Sequence, residues 1–279
     1  MQQNIATLRS MPSTSVNGHE RHYEQRGEGE PLLLIMGMSG THLTWGDEFL
    51  DLLARDFAVT TYDHRGVGKS SATEPGYSIA DLADDAAGLL ANLGIDAAHV
   101  LGISMGGMVA QELALRHPER IRTLAIGCSY PGGEGSALAP QSTLERIQGG
   151  WASGDREQAL RAMWEVNVSE GVAADADVFA KFRESALALA VPIPVIMGQM
   201  QAIGGHDTLA RLTSVTAPTL VIHGTADAML PVQNGRLIAE AIPNARLEIF
   251  DGVGHLFWIE RPEESAALLR DHAKAGATT

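Results

Sequence analysis

The chain carries one cysteine, Cys128, in 279 residues. No intramolecular disulfide can form, so stability has to come from a packed core. Aromatic residues are scarce, at 5%, and charged residues reach only 19% against 45% hydrophobic. A disordered chain would be more polar and more charged, so a folded domain with a sizeable core is expected. Basic side chains are in deficit: 20 Lys and Arg face 34 Asp and Glu, for a net charge of −14. Such a surface repels phosphate backbones and anionic lipid, which speaks against nucleic-acid or membrane partners. Apolar runs fall far short of the ~18 residues that span a bilayer. Met1 to Ser10 holds one Arg and no apolar h-region, so no signal peptide and a cytoplasmic location are expected. No Cys/His group has metal-ligand spacing, and neither a metal nor an organic cofactor is implied.

What is present alternates. Thr14 to Val16 and Glu20 to Gln25 read as strands joined at Asn17-Gly18, a hairpin signal. Pro31 to Met36 (PLLLIM) is a continuous apolar run, as in a strand buried on both faces. A helix over Asp47 to Arg55, a strand over Phe57 to Tyr62 and a helix over Ser78 to Leu93 follow, the last with Ser78 and Asp81 at capping-box spacing. Ala98 to Ile103 reads as strand, Met105 to Arg116 as helix and Ile121 to Cys128 as strand. From Pro131 to about Gly205 only helical periodicity is found, over Gln141–Gln148, Asp155–Val168, Asp175–Ala190 and Pro194–Ile203. Strand–helix alternation resumes at Pro218 to His223 and ends with a helix from Pro262 to Lys274. The expected fold is therefore α/β: a mostly parallel central sheet flanked by helices, with a core of residues 12–130 and 206–279 and a helical cap inserted at 131–205. In such sheets ligands bind at the carboxyl ends of the strands.

The chemistry is concentrated there. Gly102-Ile103-Ser104-Met105-Gly106 joins an apolar strand directly to a helix. A serine on so sharp a turn needs neighbours without Cβ two residues to either side, and the turn lifts its hydroxyl out of the sheet. The helix N-terminus adds positive partial charge beneath it. A serine hydroxyl needs a base. Of ten histidines, His255 stands just past the last strand in Gly252-Val253-Gly254-His255. His223 reads as a packed strand-end residue, His117 as an exposed helix end, His19 and His22 as hairpin residues and His99 as lying at the far end of the sheet. His42, His64 and His206 stand where they could line a pocket. The acid that orients the base is Asp227, in Gly224-Thr225-Ala226-Asp227 after the strand ending at His223; Asp251, four residues before His255, is its rival. Oxyanion donors are expected from the backbone N–H of Met105 and of Met38, in the loop Met36-Gly37-Met38-Ser39-Gly40. Candidate substrate contacts are Gly37, His42, Trp164, Met197, Met200 and Leu256. The pair Asp63 and Arg65 in the Asp63-His64-Arg65-Gly66 loop reads as structural.

The elbow GISMGG, the loop TYDHRGVGKS (Thr61 to Ser70), ALRHPERI (Ala114 to Ile121), HGTAD (His223 to Asp227) and GVGHLFWIERPEE (Gly252 to Glu264) together resemble the α/β-hydrolase family over essentially the whole chain. MGMSGTHLTW and the DHR loop look closest to small bacterial carboxylesterases, including methylesterases of polyketide tailoring. Met36 stands where many members carry His before the glycine, which removes a polar side chain but leaves the backbone donor. The resemblance implies hydrolysis through an acyl-enzyme, with a cap setting substrate choice. The expected substrate is a small to medium, mainly apolar ester or lactone, and the protein a monomer or homodimer. A C–C bond hydrolase shares the same residues, and a triad-containing small-molecule receptor is the reading from another class. A serine at the elbow argues against haloalkane dehalogenase and epoxide hydrolase, which use an aspartate there.

Overall fold

Asn17 (φ 50°) and Gly18 (φ 80°) both occupy the left-handed region, the pair of conformations that a two-residue hairpin requires. They fold β1 (Ser13–Val16) back on β2 (His19–Arg26). This computed structural model describes residues 12–276. The stretch Met1 to Ser10, read above as lacking an apolar h-region, and the last three residues of the expected core lie outside it. β3 (Glu30–Ile35), α1 (Asp47–Leu53), β4 (Phe57–Tyr62), α2 (Ile79–Asn92), β5 (Ala98–Ile103), α3 (Met105–Arg116) and β6 (Ile121–Gly127) follow. Then come five helices: α4 (Gln141–Ala152), α5 (Arg156–Asn167), α6 (Glu170–Ala173), α7 (Ala176–Ala188) and α8 (Ile193–Gly204). β7 (Thr219–Gly224), α9 (Gln233–Ala241), β8 (Arg246–Phe250), α10 (Phe257–Glu260) and α11 (Pro262–Gly276) complete the chain.

The eight strands of the described residues form one sheet in the order β1-β2-β4-β3-β5-β6-β7-β8. Only β1–β2 and β2–β4 are antiparallel; every pairing from β4 through β8 is parallel. Because successive side chains point to opposite faces, Leu33 and Ile35 enter the core beneath α2 and α3, and Leu32 and Leu34 enter the core with Trp45, Phe49 and Leu269. Burial on both faces is why β3 is apolar without interruption. α2 begins in a full capping box: Ser78 Oγ accepts from Asp81 N at 3.2 Å and the Asp81 carboxylate accepts from Ser78 N at 2.7 Å. No single helix among the described residues is long and apolar enough to cross a membrane; α7 and α8 reach that length only together, bent by 103°.

The structure departs from the sequence reading in a few places. α4 continues through Gly149 and Gly150 to Ala152 rather than stopping at Gln148. A Cβ at position 150 would lie 2.7 Å from Ala162 Cβ, so the glycine serves close packing of α4 on α5. The four-residue helices α6 and α10 are too short for periodicity to reveal. His117 is not free at the helix end: its Nε2 lies 2.7 Å from Asp84 Oδ1.

Several histidines are buried in neutral form. Burial pushes the imidazole of His206 down to about 4 and also lowers His22, His64, His99 and His272. A group depressed in the folded state stabilises the protein above its unfolded pKa, and that stability is lost as pH falls through the folded value. Thermal stability should therefore decline from about pH 6.5 towards pH 4, with His206 alone accounting for roughly 3 kcal/mol at the acid end. The variant His206→Gln should show a shallower loss of melting temperature across that window; an unchanged slope would exclude His206 as a contributor.

Candidate active site

Ser104 follows β5 and precedes α3 with φ 54° and ψ −123°, a conformation that a non-glycine residue holds only when its surroundings dictate it. The surroundings are the backbone itself. A Cβ at Gly102 would lie 2.1 Å from Gly106 O, and one at Gly106 would lie 2.0 Å from Ile35 O. Ser104 N donates to Gly127 O at 2.9 Å, and Ser129 Oγ donates to Ser104 O at 2.8 Å. The turn is thus tied to β6 on one side and pressed against β3 on the other.

Asp227 and His255 lie on the loops after β7 and β8, at the same end of the sheet. His255 Nδ1 is 2.7 Å from Asp227 Oδ2. Asp227 Oδ1 accepts from the backbone N–H of Met229 at 2.9 Å and Leu230 at 2.8 Å. Burial by itself would raise this carboxyl; the charge of His255 and the hydrogen bonds from His223 and His255 more than offset it and hold Asp227 well below the usual carboxylate range. A carboxylate only accepts, so Nδ1 of His255 carries the proton and Nε2 is left free to take one. Asp251, the rival acid, instead accepts from Thr225 Oγ1 at 3.0 Å at the surface.

A second histidine serves the same carboxylate. His223 Nε2 lies 2.7 Å from Leu230 O and 3.2 Å from Asp227 Oδ2. Both are acceptors, so Nε2 is protonated. Gly235 leaves room for this ring, since a Cβ there would be 2.6 Å from His223 Nδ1. Cys128 packs beside Asp227; burial and that negative charge push its thiol well above the ordinary range, as befits an inert thiol.

The loop after β3 reaches the serine directly: a Cβ at Gly37 would sit 3.0 Å from Ser104 Cβ and 3.6 Å from Oγ. His64 Nε2 donates to Met36 O at 2.9 Å beneath it. Several contacts come from the helical insertion. Ser39 N donates to Gln199 Oε1 at 2.9 Å. On the other side, Leu256 N donates to Asn167 O at 2.9 Å. Glu260 accepts from Gly254 N at 2.8 Å and Ser169 N at 2.9 Å, and also from the Ser169 hydroxyl. A Cβ at Gly254 would be 2.6 Å from Val168 Cα, so glycine lets the His255 loop meet the end of α5.

The remaining candidate substrate contacts have the following surroundings. Met197 and Met200 are 56% and 46% exposed, on the face of α8 opposite the buried Gly198, Gln199 and Ala202. Trp164 is fully buried against Phe179 and Phe182 inside the insertion. Leu256 packs in the core with Trp258 and Phe257. His42 is buried with Nδ1 3.0 Å from both Asp63 oxygens. It borders a cavity of about 570 Å³ with Glu24, Trp45 and Phe182, whose lining includes none of Ser104, Met105, Asp227 or His255. Asp63 also accepts from His42 N and Lys69 N, and Arg65 makes two 2.8 Å contacts with Asp85, so that pair fixes its loop. Among the described residues, two donor groups are close enough to share an ion, His22–Glu24–His42 and Cys128–His223–Asp227. In the first, Lys69 Nζ already lies 3.5 Å from Glu24 Oε1; in the second, Asp227 is committed to His255.

A turn-borne serine, an imidazole paired with a carboxylate and a glycine-containing loop thus follow strands at the carboxyl edge of the parallel sheet. The profile of the α/β hydrolase fold family matches residues 30–262, and the chain belongs to that family. It is 31% identical over 247 residues to RutD of Pseudomonas syringae pv. syringae, provisionally described as a carbamate hydrolase, covering 88% of this chain and 93% of that protein. It is 30% identical over 306 residues to the rhodomycin D methylesterase DnrP of Streptomyces peucetius, covering 95% and 99%. Among solved structures, an N-acyl homoserine lactone degrading enzyme superposes with a TM-score of 0.76 at 31% identity, covering 93% of this chain and 99% of that one.

Glu260 joins three donors around one buried carboxylate, so Glu260→Ala leaves all three unmet. At about 1–3 kcal/mol for each stranded buried donor, partly relieved by water, the variant should lose roughly 3 kcal/mol in urea unfolding. A loss under about 0.5 kcal/mol would show that the clamp contributes nothing to stability.

Proposed function

We propose that the protein is a serine hydrolase that cleaves a small to medium, mainly apolar carboxylic ester through an acyl-enzyme. The observation that carries this reading is the joint placement of Ser104 on its strained turn and of the Asp227–His255 pair at the same sheet edge. Ser104 Oγ attacks the ester carbonyl carbon while His255 Nε2 takes its proton. The resulting oxyanion is met by the N–H groups of Met38 and Met105. Collapse expels the alcohol, which leaves with the proton held by His255. Water then attacks the acyl-enzyme, again losing its proton to His255; the acyl–Oγ bond breaks, His255 returns that proton to Ser104 Oγ, and the carboxylic acid departs. Asp227 keeps Nδ1 protonated and stabilises the imidazolium throughout. α4 to α8 form the cap that shapes the acyl and alcohol pockets.

The full-length likeness to a methylesterase supports an ester with a small alcohol. A lactone is the second reading, favoured by the 31% likeness to the N-acyl homoserine lactone degrading enzyme. Ring opening uses the same steps, with the alcohol remaining attached to the acyl group.

p-Nitrophenyl esters of increasing acyl length, assayed beside an acyl homoserine lactone, test both. Multiple turnovers by the wild type are expected, falling at least ~10³-fold in Ser104→Ala and on the order of 10⁴-fold in Asp227→Asn. A higher kcat/KM on the lactone would move the assignment to lactonase. A folded wild type that turns over neither, or a Ser104→Ala variant as active as wild type, would overturn the reading.

A further inference from the structure

α8 meets the core through one face. Val195 lies over Gly66, where a Cβ would be 2.8 Å from Val195 Cγ2, and Gly198 lies against Tyr77, where a Cβ would be 3.3 Å from the phenol oxygen. Ile193, Met197 and Met200 point the other way and are exposed. At the centre of the contact face stands Gln199, with no solvent exposure. Its Oε1 accepts from Ser39 N at 2.9 Å, while its Nε2 is buried with no hydrogen-bond partner. A buried amide with one half unmet is a stability defect. A methionine would fill the same space without it. Its placement is explained instead by what Oε1 holds.

Ser39 is a non-glycine residue at φ 58°, a backbone state that relaxes to negative φ unless constrained. It follows Met38, whose N–H is the proposed oxyanion donor, and stands two residues from Gly37, which touches Ser104. A flip at Ser39 would rotate the preceding peptides and turn the Met38 N–H away from the serine. Hydrogen bonds from the rest of the loop, such as Gly40 N to Gly37 O at 3.3 Å, leave the Ser39 N–H to Gln199 alone among the described contacts.

We propose that Gln199 is a positioning residue: by accepting the Ser39 N–H it holds the oxyanion loop in its working turn only while α8 is seated on the core. Seating of the cap and assembly of the oxyanion hole are then one event. This rests on the reading of Met38 as an oxyanion donor.

The test uses full-length Gln199→Met. The melting temperature should change little, because the variant removes the unmet Nε2 and at the same time leaves the Ser39 N–H without its acceptor. kcat on the p-nitrophenyl esters should fall about 10- to 100-fold, short of the loss of a whole oxyanion donor, with KM changed less than ~3-fold. Amide hydrogen exchange over residues 36–41 should accelerate. Adding Ser39→Gly, which accepts positive φ without strain, should return at least ~3-fold of the lost kcat. Wild-type exchange over 36–41 in Gln199→Met overturns the proposal, as does a loss of kcat that merely follows a lower melting temperature and is untouched by Ser39→Gly. If the wild type turns over no ester or lactone, the functional reading falls by itself. Exchange over 36–41 then still decides whether Gln199 holds the loop.

Discussion

Ser104 can occupy its turn only because backbone approaches backbone at distances that forbid any side chain. Gly102 and Gly106 face carbonyl oxygens at 2.1 and 2.0 Å from where a Cβ would be. That contact requires β3 to lie beside β5, which the order β4-β3-β5-β6 provides. The same adjacency delivers the loop after β3 to the serine, since Gly37 follows β3 as Ser104 follows β5. One steric constraint thus links the strand order around the site, the glycine positions and the proximity of Ser104 to the loop after β3. The strain at φ 54° is held by a hydrogen bond that Ser104 donates to β6 and one that it accepts from Ser129.

The electrostatic half of the site is a buried carboxylate that stays charged. Desolvation works against it, and the chain answers with two histidines and two backbone N–H groups on its two oxygens. Removing a charge from water is offset only when nearly every lone pair is matched. His223 and the Met229–Leu230 turn complete that shell. A hydrophobic pair would be easier to bury in its place, but it could not fix the tautomer of His255.

Local features of this arrangement were legible in the sequence. The strand–turn–helix around Ser104 is contiguous, as are the His-Gly-Thr-Ala-Asp segment and the Gly252–His255 loop, and the parallel order follows from alternation. What sequence left hidden depends on helical phase or on distant partners. α8 is apolar on nearly every side, so periodicity cannot say that Gln199 points inward and Met197 and Met200 outward. His42 sits on a loop at the catalytic edge, yet Asp63, 21 residues away, draws it into a different cavity. Gln199 meets Ser39 across 160 residues and Glu260 meets Ser169 across 91. Only folding reveals such contacts, although a glutamine in the middle of an apolar helix was a visible irregularity.

Those two long-range contacts bear on how the insertion should be understood. The end of α5 holds the His255 loop through Asn167 and Ser169, and α8 holds the loop after β3 through Gln199. The insertion therefore grips the core on either side of Ser104, at backbone amides and not through side chains of the candidate catalytic residues. Backbone contacts tolerate change in neighbouring side chains, so the rest of α4 to α8 is free to vary in shape and polarity while the loops keep their geometry. The exposed apolar stripe Ile193, Met197 and Met200 lies on the helix whose opposite face does the gripping. Lifting that helix off the core would break the hydrogen bond between Gln199 and the Ser39 N–H, which ties movement of the insertion to the loop beside Ser104.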